Sequence, residues 1–165
     1  MSAYIVIATP MTDRECLLAA LRDVGLDAKN IEIHDTAVPL VGFEGTQREQ
    51  VANLVIRRQF VGASSNDVGF LATPTGYRMI VSDYDRPRFG ADWQAKLAER
   101  YKAHADRKLA ALVEVTERQK IEEERARLVE AQRQAIQEKA KKLGYRVVET
   151  REGENLRLVL VRRTY

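Results

Sequence analysis

Val68-Gly69-Phe70-Leu71-Ala72-Thr73-Pro74-Thr75-Gly76-Tyr77-Arg78-Met79-Ile80-Val81-Ser82 is the stretch that decides the fold class. Two apolar runs flank Thr73-Pro74-Thr75-Gly76, and proline with glycine at this spacing is what a tight turn between antiparallel strands needs. A β-hairpin is therefore predicted. On its second arm Tyr77, Met79 and Val81 share one face, while Arg78, Ile80 and Ser82 share the other.

Working upstream, Tyr4-Ile5-Val6-Ile7-Ala8 is a short β-branched run closed by Thr9-Pro10, a strand with a breaker behind it. Thr12-Asp13-Arg14-Glu15 reads as a capping box, with the Thr12 hydroxyl accepting from the Glu15 N–H. Leu17, Leu18, Leu21 and Val24 follow at helical spacing, and Gly25 supplies the left-handed stop. Ile31-Glu32-Ile33-His34 alternates as a strand. Residues 37–41 form another apolar run, which Pro39 confines to an edge or a bend. Residues 42–46 read as a turn and residues 62–67 as a loop; between them, helix and strand both fit the first half of residues 51–61, and β-branched content and the neighbouring strands favour strand.

Working downstream, residues 91–143 contain neither glycine nor proline and are rich in Ala, Leu, Glu, Gln, Lys and Arg. That composition predicts one very long helix, ended by Gly144, that either folds back as a helical hairpin or extends and pairs with another chain. Trp93, Leu97 and Tyr101 are spaced by four and face a core. Ile121, Leu128 and Ala135 are spaced by seven amid dense charge, a thin seam of the kind two coiled helices share. Two further strand runs, residues 145–149 and 156–162, flank a turn at Glu152-Gly153-Glu154-Asn155, with Leu156, Leu158 and Leu160 in strict alternation. The expected architecture is α+β. It has a mainly antiparallel sheet of six or seven strands, one short helix, one very long helix extending as a coiled-coil-like arm, and a closing C-terminal β-hairpin.

A length of 165 residues with 45% apolar content supports one folded domain with an appendage. The formal charge of +3 is unevenly spread. Residues 1–92 carry 9 basic against 12 acidic side chains, residues 93–144 carry 13 against 9, and residues 145–165 carry 5 against 3. Nothing at the N-terminus reads as a secretory leader, no run is long enough to span a bilayer, and the single Cys16 excludes an internal disulfide. These features predict a cytoplasmic protein with no membrane association.

Several of these residues also form a familiar set. It comprises Ser65-Asn66-Asp67-Val68-Gly69-Phe70, Gly76-Tyr77, Asp83-Tyr84-Asp85, Gly90, Trp93, Leu97 and Tyr101, then Gly144-Tyr145 and Arg162-Arg163. In order and spacing the set resembles an uncharacterised conserved family, a domain of unknown function encoded in cyanobacterial and algal plastid genomes and scattered bacteria. The resemblance covers residues 3–25, 50–105 and 138–163. It implies no catalytic residues and marks residues 106–133 as a helical insertion. The domain would then consist of residues 1–105 plus 134–165, with 106–133 as an inserted arm.

No cofactor or catalytic fingerprint is present. Asp67, Asp83 and Asp85 with His34 match no metal-ligand spacing, and loop aspartates ordinarily cap turns. Cys16 reads as a small buried hydrophobe and His104 as a solvated helix-face side chain. Arg57, Arg58, Arg86 and Arg88, with Tyr84 and Phe89 as stacking surfaces, form a candidate site for a protein partner or nucleic acid. The expected function is a non-enzymatic interaction or assembly module. It would use the long charged helix and this basic loop, without metal or cofactor, and form a homo-oligomer or bind a protein partner. The alternative is a nucleic-acid-binding accessory protein using the sheet face and the basic residues.

Overall fold

The computed structural model describes residues 3–152 and 155–162, with side chains left aside at 151, 152, 155 and 156. Two compact units divide within one helix, Met1–Ala110 and Ala111–Tyr165.

The first unit opens with β1 (Tyr4–Ala8) and α1 (Arg14–Asp23). Asp13, not Thr12, caps α1: its carboxylate accepts from the Cys16 N–H at 2.9 Å. The predicted capping box fails because the Tyr101 hydroxyl already accepts the Thr12 and Asp13 N–H groups, each at 2.9 Å. At the other end Gly25 adopts φ +96°, and the Gly25 and Leu26 N–H groups donate to the Arg22 and Leu21 carbonyls, closing the helix as predicted.

β2 (Ile31–Val41) and β3 (Gln47–Ile56) follow, then a single helical turn α2 (Arg58–Val61), then the predicted hairpin of β4 (Val68–Thr73) and β5 (Gly76–Ser82). The strand expected over 51–61 begins earlier and ends at Ile56, because the Arg58 N–H donates to the Asp67 carboxylate at 2.8 Å and draws the chain out of the sheet. The five strands pair antiparallel in the order β1-β5-β4-β3-β2, so Pro39 does lie on an edge strand, beside two register shifts.

Alternation along the strands sends two apolar sets to opposite faces. Leu54, Ile56, Val68, Phe70, Met79 and Val81 pack with Leu17, Ala20 and Leu21 of α1, and with Leu97 of α3 (Ala91–Lys142). Trp93 and Tyr101 of α3 pack against the same cluster, as their spacing predicts. On the other face Leu40, Ala52, Val55 and Ile80 cluster with Tyr4, Val38 and Leu71. Here Gly69 is needed for close approach: a Cβ on it would lie 2.5 Å from that of Ala52 and 3.0 Å from a Leu40 methyl.

α3 is a single unbroken helix rather than a helical hairpin. In the second unit its C-terminal part is followed by β6 (Tyr145–Glu152) and β7 (Asn155–Arg162), which pair antiparallel as a separate two-stranded sheet. The strands are thus five plus two, not one sheet of six or seven. Gly153, Glu154 and Arg163 lie outside the described residues, as does the Leu156 side chain.

Candidate functional site

The four candidate arginines split into two sets. Arg57 is held between carboxylates, donating to Asp67 at 2.8 Å and to Glu32 at 2.5 Å. The Glu32 hydrogen bond raises the Arg57 pKa further, and Arg57 in turn holds Glu32 below the usual carboxylate range. The Arg58 guanidinium donates to the Phe43 carbonyl, while its backbone N–H is bound by Asp67. Arg57 and Arg58 therefore fasten the loop to the sheet. Arg86 and Arg88 are exposed and make no ion pair among the described residues. Tyr84 beside them is 59% exposed.

Phe89 does not join that surface. It is 2% exposed, packed edge-on against Trp93 with ring centroids 4.9 Å apart, and the Arg88 guanidinium lies 5.9 Å from its ring centroid. The burial follows from its place in the core beneath the start of α3, where an aromatic ring stabilises more as packing than as an exposed anchor. A cleft of about 520 Å³ beside it is lined by Arg88 and Lys96 but also by Asp92, so its charge is mixed.

The loop aspartates act as internal fasteners. Asp67 is fully buried and accepts from the Val41 N–H at 2.9 Å in addition to Arg57 and Arg58. Asp85 is buried too. Burial pushes its pKa up, but hydrogen bonds from Ser82, Asn66 and Ser65 outweigh this and hold it below the ordinary value. Among the described residues no three His, Cys, Asp or Glu side chains are placed to hold a metal ion. Cys16 is buried, and desolvation raises its thiol pKa. His104 is not simply solvated: its Nε2 lies 2.8 Å from Asp23 of α1.

The second unit presents a different surface. Leu112, Val113, Val115, Ile121, Leu128, Val129 and Ile136 are between 42% and 63% exposed. Ala135 is exposed as well, so all three residues of the predicted seam face outward. The hairpin docks elsewhere on the helix. Arg133 donates to both Glu149 oxygens at 2.7 and 2.6 Å, Gln137 donates to Glu149 at 2.7 Å, and Ala140 is buried. Arg133, Gln137 and Ala140 follow each other at spacings of four and three and so share one helix face. Ala135 lies two residues from both Arg133 and Gln137, about 200° around the helix. Ile121, Leu128 and Ala135 therefore point away from the hairpin. The hairpin itself exposes Val148, Val159, Leu160 and Val161.

No family model, curated protein or solved structure matches this chain. Among the described residues no helix is long and apolar enough to cross a membrane. The sequence pattern missed three contacts: Tyr101 on the start of α1, Lys108 bridging Asp13 and Glu15 at 2.7 and 2.6 Å, and Arg133 on Glu149. Each joins residues distant in sequence or across a turn, where periodicity carries no signal.

Proposed function

We propose that this chain is a non-enzymatic, cytoplasmic interaction module that assembles with another protein chain through α3 beyond residue 110 and the β6–β7 hairpin. One observation carries the reading. Among the described residues of 111–162, thirteen large hydrophobic side chains are exposed, while Ala140 is the buried apolar one. Isolated helices are marginal in water, and so is a lone two-stranded hairpin. A unit built from these two elements gains its stability from what it binds. Membership of the plastid and cyanobacterial family, with residues 106–133 as its inserted arm, belongs to the same proposal.

Tyr84, Arg86 and Arg88 contribute a smaller, separate surface. Their exposure favours nucleic acid as the second reading. Neither face of the sheet is open in its centre, since Leu54, Phe70 and Met79 on one and Val55 and Ile80 on the other are all buried.

The test is Leu128→Glu in the full chain, followed by sedimentation and by co-purification with and without nuclease. Loss of a nuclease-resistant protein association, with the first unit still folded by circular dichroism, is the expected result. An unchanged mass and unchanged protein associations would overturn the reading. A salt-sensitive complex destroyed by nuclease would favour the second one.

A further inference from the structure

We propose that the occupant of the α3 seam is a second copy of this chain, running antiparallel, with Leu128 on the two-fold axis. This rests on the reading of α3 as an assembly surface and names what covers it.

Charge along the helix carries the inference. Residues 111–124 hold five acidic and two basic side chains, whereas residues 125–142 hold six basic and two acidic. The sign changes between Glu124 and Arg125, three residues before Leu128. One stripe of the helix reads Glu114, Glu117, Ile121, Leu128, Ala135, Lys139, Lys142. Its spacings of 3, 4, 7, 7, 4 and 3 are the same from either end. Each step keeps the stripe within a narrow face of a 3.6-residue helix.

Reversing a second copy about Leu128 brings complementary residues level. Glu114 meets Lys142, Glu117 meets Lys139, and the large Ile121 meets the small Ala135, each twice because the two-fold axis repeats the contact. Off the stripe, Arg118 lies level with Glu138. Nowhere from 114 to 142 do like charges fall level in this arrangement. A parallel, in-register pair would instead set every glutamate against glutamate and every lysine against lysine, and would stack Ile121 on Ile121 and Ala135 on Ala135. Exposed ion pairs add little affinity singly, but matched against mismatched charge decides orientation. The seam faces away from the hairpin, so among the described residues of this unit none lies over it.

The experiment mixes full-length Ile121→Cys with full-length Ala135→Cys under mild oxidation. Cys16 is buried, which leaves the introduced thiols to react. The two positions are fourteen residues apart, about 21 Å along the helix, so an antiparallel pair cross-links only between different variants. The expected result is a disulfide dimer in the mixture and none with either variant alone. Sedimentation of the wild type should give twice the 18.8 kDa chain mass. Glu114→Lys with Glu117→Lys should weaken the dimer at least about tenfold, and adding Lys139→Glu with Lys142→Glu should restore it. Self-cross-linking of Ile121→Cys would overturn the antiparallel arrangement. A wild type that stays monomeric at about 100 μM would overturn the second copy altogether. The broader reading is judged separately, by whether Leu128→Glu changes association with any other protein.

Discussion

Asp67→Asn tests whether Arg57 belongs to the scaffold or to a binding surface. The Asp67 carboxylate is fully buried and accepts three hydrogen bonds: from the Arg57 guanidinium, the Arg58 N–H and the Val41 N–H, all within 2.9 Å. An asparagine of the same shape keeps one acceptor oxygen and turns an NH₂ group toward donors. With that oxygen at the Oδ2 position, the Val41 N–H and the Arg57 guanidinium keep their acceptor, while the NH₂ group faces the Arg58 N–H, which loses its partner. Each buried unsatisfied group costs about 1–3 kcal/mol. Arg57 also loses the charge of its acceptor, worth about 1 kcal/mol here because it is 26% exposed and keeps Glu32. The expected loss is about 3 kcal/mol, below the full cost of breaking a buried pair. Equilibrium urea unfolding, followed by Trp93 fluorescence, reads it directly. With a slope of about 1.5 kcal/mol per molar urea, the midpoint should drop by about 2 M. A loss under about 1 kcal/mol would refute the scaffold role and return Arg57 to the candidate binding residues.

Asp13→Ala removes the α1 cap and should cost about 1 kcal/mol at neutral pH, measured by thermal unfolding. The Lys108 hydrogen bond, then the Cys16 N–H, hold the Asp13 carboxyl at about 2 against an ordinary 3.8. A depressed folded pKa gives stability that is present above the unfolded value and lost as pH falls through the folded one. The gap between wild type and variant should therefore close between about pH 4 and pH 2; a gap constant across that window would contradict the Lys108 contact. Gly69→Ala should cost about 1–3 kcal/mol by overpacking against Ala52 and Leu40, also read by thermal unfolding, and a neutral result would show that these two side chains do not press on Gly69.

Much of the fold was legible because it rests on local pattern. The β4–β5 turn chemistry, the Gly25 stop, the edge position of Pro39 and the glycine-free run of α3 each follow from residues close in sequence. The errors came where a distant side chain decides the local outcome. Tyr101 displaces the Thr12 cap, and Asp67 ends β3 at Ile56. The surroundings of the candidate arginines are not legible for the same reason, since neither the carboxylates that hold Arg57 nor the burial of Phe89 shows in a charge count. The spacing of seven between Ile121, Leu128 and Ala135 is legible in the sequence, and so is the change from acidic to basic flanks, which averages away over the whole of residues 93–144.

The central claim is that α3 beyond residue 110 is held by what covers its seam, not by its own chain. Amide hydrogen exchange of the wild type and Leu128→Glu, at several protein concentrations, tests it most directly. The account predicts that amides of residues 111–132 exchange at least about a hundredfold faster than those of β3–β5 in dilute protein. It also predicts that they slow as the wild type is concentrated, and that Leu128→Glu removes this dependence. Protection over 111–132 equal to that of β3–β5 at every concentration, and unchanged by Leu128→Glu, would contradict it.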